Sequence, residues 1–301
     1  MIPKLTRILV QKTICNPILN TLVSPTAFKG TMSPMEAARF LSREGDILLP
    51  LSDGGDGFLE CIRHKLGGMV EHLEAADPYG QTRLVPFLKL PNGDVAIESA
   101  KVIGMAGLER LDPISASSRG LGELLAQLQN VPRLLIGLGG SATVDGGMDW
   151  PPIALPPATV FCDVRTDIYD AVRLFAPQKG ALPEHLPILQ KRLMSLGLPL
   201  GPHTGAAGGL GAKLKQLGGD LVEGGSAMME LLGFDEACAP CSAVITGEGM
   251  LDASTLEGKL PIAVAKRTRS FGKTVMGHFG CKGEGWREAA RYFDEVRFER
   301  E

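Results

Sequence analysis

The sequence predicts an α/β protein of two α/β domains: a split Rossmann-like parallel-sheet domain and, inserted in it, a mixed α/β domain. Three observations carry this. At both ends of the chain short apolar runs alternate with helical stretches, the pattern of a parallel sheet covered by helices. From about residue 69 the texture changes to strand, tight turn, strand. Several apolar runs close in glycine-rich loops that carry an acid or a hydroxyl. The boundaries read as 1–68 and 241–301 for the split domain and 69–240 for the insert.

Taken in order, Asn20 to Ser24 reads as a short strand stopped by Pro25. Ser33-Pro34-Met35-Glu36 opens a helix, with Ser33 as N-cap, Pro34 in the first turn and Glu36 closing a capping box. Ile47 to Leu51 is a second strand, ending in Ser52-Asp53-Gly54-Gly55-Asp56-Gly57, and Phe58 to Leu66 is a helix. Val70 to Ala76, Thr82 to Lys89 and Asp94 to Ile97 are strands joined by Asp77-Pro78-Tyr79-Gly80 and by Asn92-Gly93, a strong hairpin signal. Gly120 to Leu128 is helical and leads to the strand from Leu134, while the prolines of Pro151 to Pro157 exclude regular helix there. Gly205 to Gly211 opens another helix. Ala243 to Ile245 and Thr274 to Met276 are strands, Leu260 to Arg269 and Trp286 to Tyr292 helices, and Glu295 to Phe298 a last strand.

Composition narrows the function classes. With 301 residues the chain buries a substantial core. A net charge of −3, with basic residues scattered, marks neither a nucleic-acid binder nor a membrane-surface protein. No apolar stretch approaches the roughly 20 residues that span a bilayer. Residues 1–18 lack the apolar core of a signal peptide and read as a surface helix or an upstream extension. Six cysteines in a chain this long are no disulfide framework, and a reducing cytoplasm is expected. Cys238-Ala239-Pro240-Cys241 lacks a partner pair for zinc and precedes a strand, so it reads as a helix-to-strand turn.

The chemistry sits in loops that leave strands, where open α/β sheets bind ligands. Leu134 to Leu138 runs into Gly139-Gly140-Ser141-Ala142-Thr143-Val144-Asp145, whose amides can approach an anion closely. The alternative is a tight turn with no ligand. Phe28-Lys29-Gly30 follows the first strand, the Asp53 and Asp56 loop the second, and Thr246-Gly247-Glu248-Gly249-Met250-Leu251-Asp252 the Ala243 strand. Gly137 to Ala142 fits G-x-G-x-x-A without the dinucleotide-fold continuation. Gly272-Lys273-Thr274 lacks the first glycine of a P-loop and precedes a strand.

In this order the loops resemble the glycerate kinase family that includes bacterial glycerate 2-kinases. The resemblance rests on Ser24-Pro25-Thr26-Ala27-Phe28-Lys29-Gly30, the Asp53 to Gly57 loop, Glu98 with Gly107-Leu108 and the Gly139 to Gly147 loop. Pro177-Gln178-Lys179-Gly180, the Gly205 to Gly211 run and Thr246 to Lys259 complete it. It implies a kinase moving the ATP γ-phosphoryl group to glycerate with Mg²⁺, at an active site between two domains. The small-molecule partners are then ATP and glycerate, with no nucleic acid and no membrane, and a homo-oligomer is left open. A kinase for another small hydroxy acid and a catalytically silent ligand-binding relative are the competing readings. The sequence departs from the family at Thr26, Val144, Met250 and Ser254 and is shorter between Gly147 and Val160.

Phosphoryl transfer needs charge neutralisation, positioning and an acceptor for the hydroxyl proton. Lys29, Asp53, Asp145 and Asp252 are the catalytic candidates, the last two as base or metal ligand. Asp53 and Asp56 are the Mg²⁺ candidates, although helix capping would account for Asp56. Gly139, Gly140, Ser141 and Thr143 are expected to hold phosphate. Lys179, Gly208, Gly209 and Glu248 are further substrate-binding candidates.

Overall fold

The computed structural model describes residues 20–257 and 259–299. Residues 1–19, with Cys15 and the segment read as a surface helix or an upstream extension, lie outside the described residues. The strands are β1 (Thr21–Val23), β2 (Ile47–Leu48), β3 (Met69–Ala76), β4 (Thr82–Lys89), β5 (Val95–Glu98) and β6 (Leu134–Leu138). They continue with β7 (Ala158–Cys162), β8 (Asp220–Glu223), β9 (Ala243–Leu251), β10 (Thr274–Lys282) and β11 (Glu295–Phe298). The two ends of the chain build one five-stranded sheet, order β11-β10-β9-β1-β2, parallel throughout. The middle builds a six-stranded sheet in sequence order β3 to β8. Its first two pairings are antiparallel and its last three parallel. The α/β class, with one parallel and one mixed sheet, is therefore the one expected.

Helices hold the two sheets together. Leu22 and Val244 of the first sheet join Leu88, Ala96, Leu135 and Phe161 of the second in one apolar cluster, through Phe58, Ile62, Met228, Phe234 and Leu260. Phe58 is fully buried and its ring lies 5.1 Å from that of Phe161. Burying such a side chain contributes roughly 1.5–3 kcal/mol. A second cluster covers the other side of the six-stranded sheet, and Trp150 belongs to it. In the irregular stretch that follows β6, Trp150 packs over Gly122 and donates its indole N–H to the Ser118 carbonyl at 2.9 Å.

Local signals explain the helix ends. Ser33 accepts from the Glu36 amide at 3.2 Å, and the Glu36 carboxylate accepts from the Ser33 amide at 2.8 Å, so the capping box forms. Capping, the alternative reading for Asp56, is not what the Phe58–Leu66 helix shows. Its N-cap is Gly57, and Asp56 makes no capping bond. Glu98, at the end of β5, accepts instead from the amides of Gly57 at 3.4 Å and Leu59 at 3.2 Å. A buried carboxylate from the neighbouring sheet reaches these orphan donors and frees Asp56.

Two segments differ from the sequence reading. The Thr246–Leu251 stretch is strand rather than loop, because β10 runs on to Lys282 and pairs with it, Phe279 opposite Glu248 and Cys281 opposite Met250. The helix after Gly205 is interrupted at once: Ala207, Gly208 and Gly209 are left-handed before regular turns begin. No helix among the described residues is long and apolar enough to cross a membrane.

Gly54 shows why the second loop needs glycine. Its φ is +103°, and a Cβ there would stand 2.1 Å from the Phe161 carbonyl oxygen. Gly54→Ala is expected to lose at least about 3 kcal/mol, from left-handed strain plus the clash. Gly80→Ala also has a positive φ, but nothing within 4 Å. It should lose only about 1–2 kcal/mol. Urea unfolding of the two variants checks the difference.

Candidate active site

The C-terminal ends of parallel strands from both sheets meet in one cleft. The loop after β2 crosses to the ends of β6 and β7. A Cβ at Gly139 would stand 2.8 Å from Asp163 Oδ2 and 3.0 Å from the Gly55 Cα, and one at Gly140 would stand 3.7 Å from Asp56 Oδ1. Lys29, Asp53, Asp56, Asp163, Glu248, Met250 and Lys259 line a single cavity of about 870 Å³. A second cavity of about 1060 Å³ adjoins it and shares Asp163, Val164 and Lys259.

Of the sequence candidates, Lys29, Asp53, Asp56 and Glu248 are thus brought together. Asp53 Oδ1 accepts from the Gly55 amide at 3.2 Å, which fixes its orientation. Burial raises the Asp53 carboxyl, with Glu223 adding to it and the Gly55 amide and Lys29 opposing. Burial pushes Glu248 up to about 7, against the pull of Lys259 and the Thr255 hydroxyl. That hydroxyl donates to Glu248 Oε1 at 3.0 Å.

Three candidates lie outside the lining of this cavity. Asp145 is buried, and its Oδ2 accepts from the Ser118 amide at 2.7 Å and hydroxyl at 2.9 Å. It ties the loop after β6 to the helix at Arg119 and does not line the cavity. Asp252 accepts from the Ser254 hydroxyl at 2.5 Å and lies 3.6 Å from Lys259 Nζ. Burial works to raise its carboxyl, but Ser254, Lys259 and the Thr255 amide outweigh it and hold it low. Lys179 is 3% exposed, and its ammonium donates to Ser141 Oγ at 2.9 Å and the Thr143 carbonyl at 2.8 Å. Burial lowers it to about 8, with Asp163 and Asp145 pulling it back up.

The glycine-rich loops mostly meet each other. Gly208 packs on the Thr143 carbonyl, and Gly209 faces Leu193 and Gly146. The Thr143 hydroxyl is buried without a partner. Ser141 and Gly140 line a small cavity of about 70 Å³ with Lys179 and Asp163.

Two residues that line the cavity were not among the candidates. Asp163, directly after β7, is open to the cleft yet walled by protein on its other sides. Burial, then the charge of Asp53, push it up to about 7 against Lys29 and Lys179. The sequence signal was an acid directly after an apolar run, Val160 to Cys162, without the glycines that marked the other loops. Lys259, at the start of the Leu260–Ser270 helix, reaches toward Glu248 and Asp252.

The donor set fits Mg²⁺. That ion takes one or two carboxylates and leaves its other positions to phosphate oxygens and water. Asp53 and Asp56 offer hard oxygens to the same cavity, and no three-residue metal cage exists among the described residues.

The Glu248 environment has a consequence for stability. Its folded carboxyl, at about 7, binds its proton more tightly than the unfolded one at 4.5. Stability from this group is therefore present at acidic pH and is lost as pH rises through that window. Glu248→Gln should remove a loss of up to about 3 kcal/mol between about pH 5 and pH 8, measured by urea unfolding at both values.

Comparison with known proteins identifies the family. The sequence profile of the Glycerate kinase family matches residues 21–150 and 153–296. The chain is 29% identical to a glycerate kinase of Halalkalibacterium halodurans, over 89% of this chain and 87% of that protein. It is 28% identical to the glycerate 2-kinase of Escherichia coli, over 87% and 85%. A crystal structure from Salmonella typhimurium, assigned as glycerate kinase 2, superposes with a TM-score of 0.75 at 27% identity, covering 93% of this chain and 90% of that one. With its sequence matched almost end to end and its strand-end loops gathered around one acidic cavity, the chain belongs to the glycerate kinase family and is an ATP-dependent kinase.

Proposed function

We propose that this enzyme phosphorylates glycerate at its 2-hydroxyl, giving 2-phosphoglycerate and ADP. The observation that carries the reading is the meeting of Lys29, Asp53, Asp56, Asp163 and Lys259 around one cavity in a chain of this family. The choice of hydroxyl follows the Escherichia coli relative, which is named a glycerate 2-kinase.

The site has what such a transfer requires. Lys29 is exposed to the cavity in the field of Asp53 and Asp163, placed to pair with a phosphate or with the glycerate carboxylate. Lys259 stands where the two larger cavities join and offers a second positive charge to the migrating group. Mg²⁺ held by Asp53 and Asp56 would neutralise charge on the phosphates. Asp163 lies at the same junction, and we assign it the acceptor's proton. The hydroxyl oxygen bonds to the γ-phosphorus, the bond from that phosphorus to the ADP oxygen breaks with its electron pair leaving on ADP, and the proton passes to Asp163. Asp252 serves by holding Lys259, and Asp145, Lys179, Ser141 and Thr143 by fixing the loop after β6. A cytoplasmic location accompanies this reading, in keeping with five described cysteines that are all free thiols.

Incubation with ATP, Mg²⁺ and D-glycerate should release ADP only when glycerate is present, and NMR should place the phosphate on C2. ADP release with another hydroxy acid but not glycerate would move the assignment to that acid. Asp163→Asn should lower kcat by about 10²–10⁴-fold with the melting temperature unchanged, as for loss of a positioned base. Asp145→Asn should instead lower the melting temperature. A kcat near wild type in Asp163→Asn would remove Asp163 from the chemistry.

A further inference from the structure

The 870 Å³ cavity has two chemically different walls. The acids and Lys29 gather where the loops after β1 and β2 meet the six-stranded sheet. The opposite wall lies over β9 and β10 and includes Glu299, directly after the end of β11. Sheet order puts β9 and β1 between β10 and β2, and Met32 and Phe40 reach this wall from the chain between β1 and β2. On this second wall Phe40 and Met250 are 56% and 45% exposed, and Met32 and Cys281 stand beside them. Phe40 is held from behind by an edge-on contact with His278, ring centres 6.2 Å apart, and His278 pairs in turn with Glu299. Gly249 packs on the Lys29 amide, 3.3 Å from where its Cβ would be, so the apolar wall begins one residue from the lysine's loop.

Glycerate carries a carboxylate and two hydroxyls on three carbons and has no apolar face to place there. The phosphoryl donor has one: a flat aromatic base joined to a chain of phosphates. Exposed apolar surface next to a polar, charged pocket marks a ligand site. The larger adjoining cavity is a poorer match. Its apolar residues Met229, Phe234 and Ile262 are core, 7%, 1% and 1% exposed, its other aromatic, Phe175, is half-buried, and its exposed large apolar side chain is the aliphatic Leu174.

We propose that Phe40 and Met250 form the platform on which the nucleobase of the phosphoryl donor lies, with its phosphates running toward Lys29 and the Asp53 loop. This rests on the kinase reading but not on glycerate as the acceptor. It assigns the apolar half of the cavity to the nucleotide and leaves the acceptor the polar half.

The test is calorimetric titration of AMP-PNP, a donor analogue that cannot transfer its phosphoryl group, into the full chain with Mg²⁺. Base stacking on an aromatic side chain predicts that Phe40→Ala weakens binding by about tenfold or more. Phe40→Tyr should bind as wild type does. In turnover, Phe40→Ala should raise the KM for ATP and leave the KM for the acceptor unchanged. Phe40 is over half exposed, so the variant does not threaten the core. Binding within twofold of wild type in Phe40→Ala overturns the proposal, as does weakening in Leu174→Ala instead, or a wild type that binds no AMP-PNP. Weakened binding in Phe40→Ala from an enzyme silent toward glycerate upholds the platform and overturns only the acceptor. Unchanged binding with glycerate-dependent ADP release intact overturns only the platform.

Discussion

Backbone meets backbone where the loop after β2 crosses the ends of β6 and β7, and the site exists because no side chain stands between them. Gly54 lies against the Phe161 carbonyl and Gly139 against Gly55 and Asp163. Without that approach Asp53 and Asp56, carried by one sheet, would not face Asp163, carried by the other. Glu98 fixes the same junction from beneath by capping the Phe58–Leu66 helix across the two sheets. The apolar cluster shared by both sheets then holds the junction closed. A helix cap, a close backbone approach and a common core serve one purpose, which is to aim acids from different strands into a single cavity.

Charge inside that cavity is arranged by distance as much as by residue type. Asp53, Asp163 and Glu248 all have carboxyls raised by burial, while Lys29, Lys179 and Lys259 oppose the rise from different sides. Lys179 does so from within the protein, anchored to Ser141 and Thr143. Lys29 and Lys259 do so from the cavity wall, where an anionic substrate can claim them.

Much of this was legible in the sequence. The Ser33 capping box, the Thr82–Lys89 strand, the Phe58–Leu66 helix and the closing Glu295–Phe298 strand each carry their own local signal, so they form where the chain alone places them. The glycine-and-acid loops were also visible, but their signal has two physical sources. An acid beside glycines can face an open cavity, as Asp53 and Asp56 do, or clamp a neighbouring helix, as Asp145 does through Ser118. Only tertiary contact separates the two. Asp163 escaped notice because it has no glycines of its own; those that make room for it belong to other loops. The Thr246–Leu251 strand read as a loop because its partner, the second half of β10, lies about thirty residues away.

The chain has two tryptophans, and their positions give each sheet its own built-in lamp. Trp150 is 9% exposed, with its indole bonded to Ser118, the residue that also holds Asp145. Its ultraviolet emission is thereby wired to the loop after β6. Trp286 sits edge-on to Phe298 beneath Lys282, at the far margin of the parallel sheet. Colour and quenching of the first report on the cleft's inner loop, and those of the second on the outer rim, so events at the two places can be told apart in an unlabelled protein.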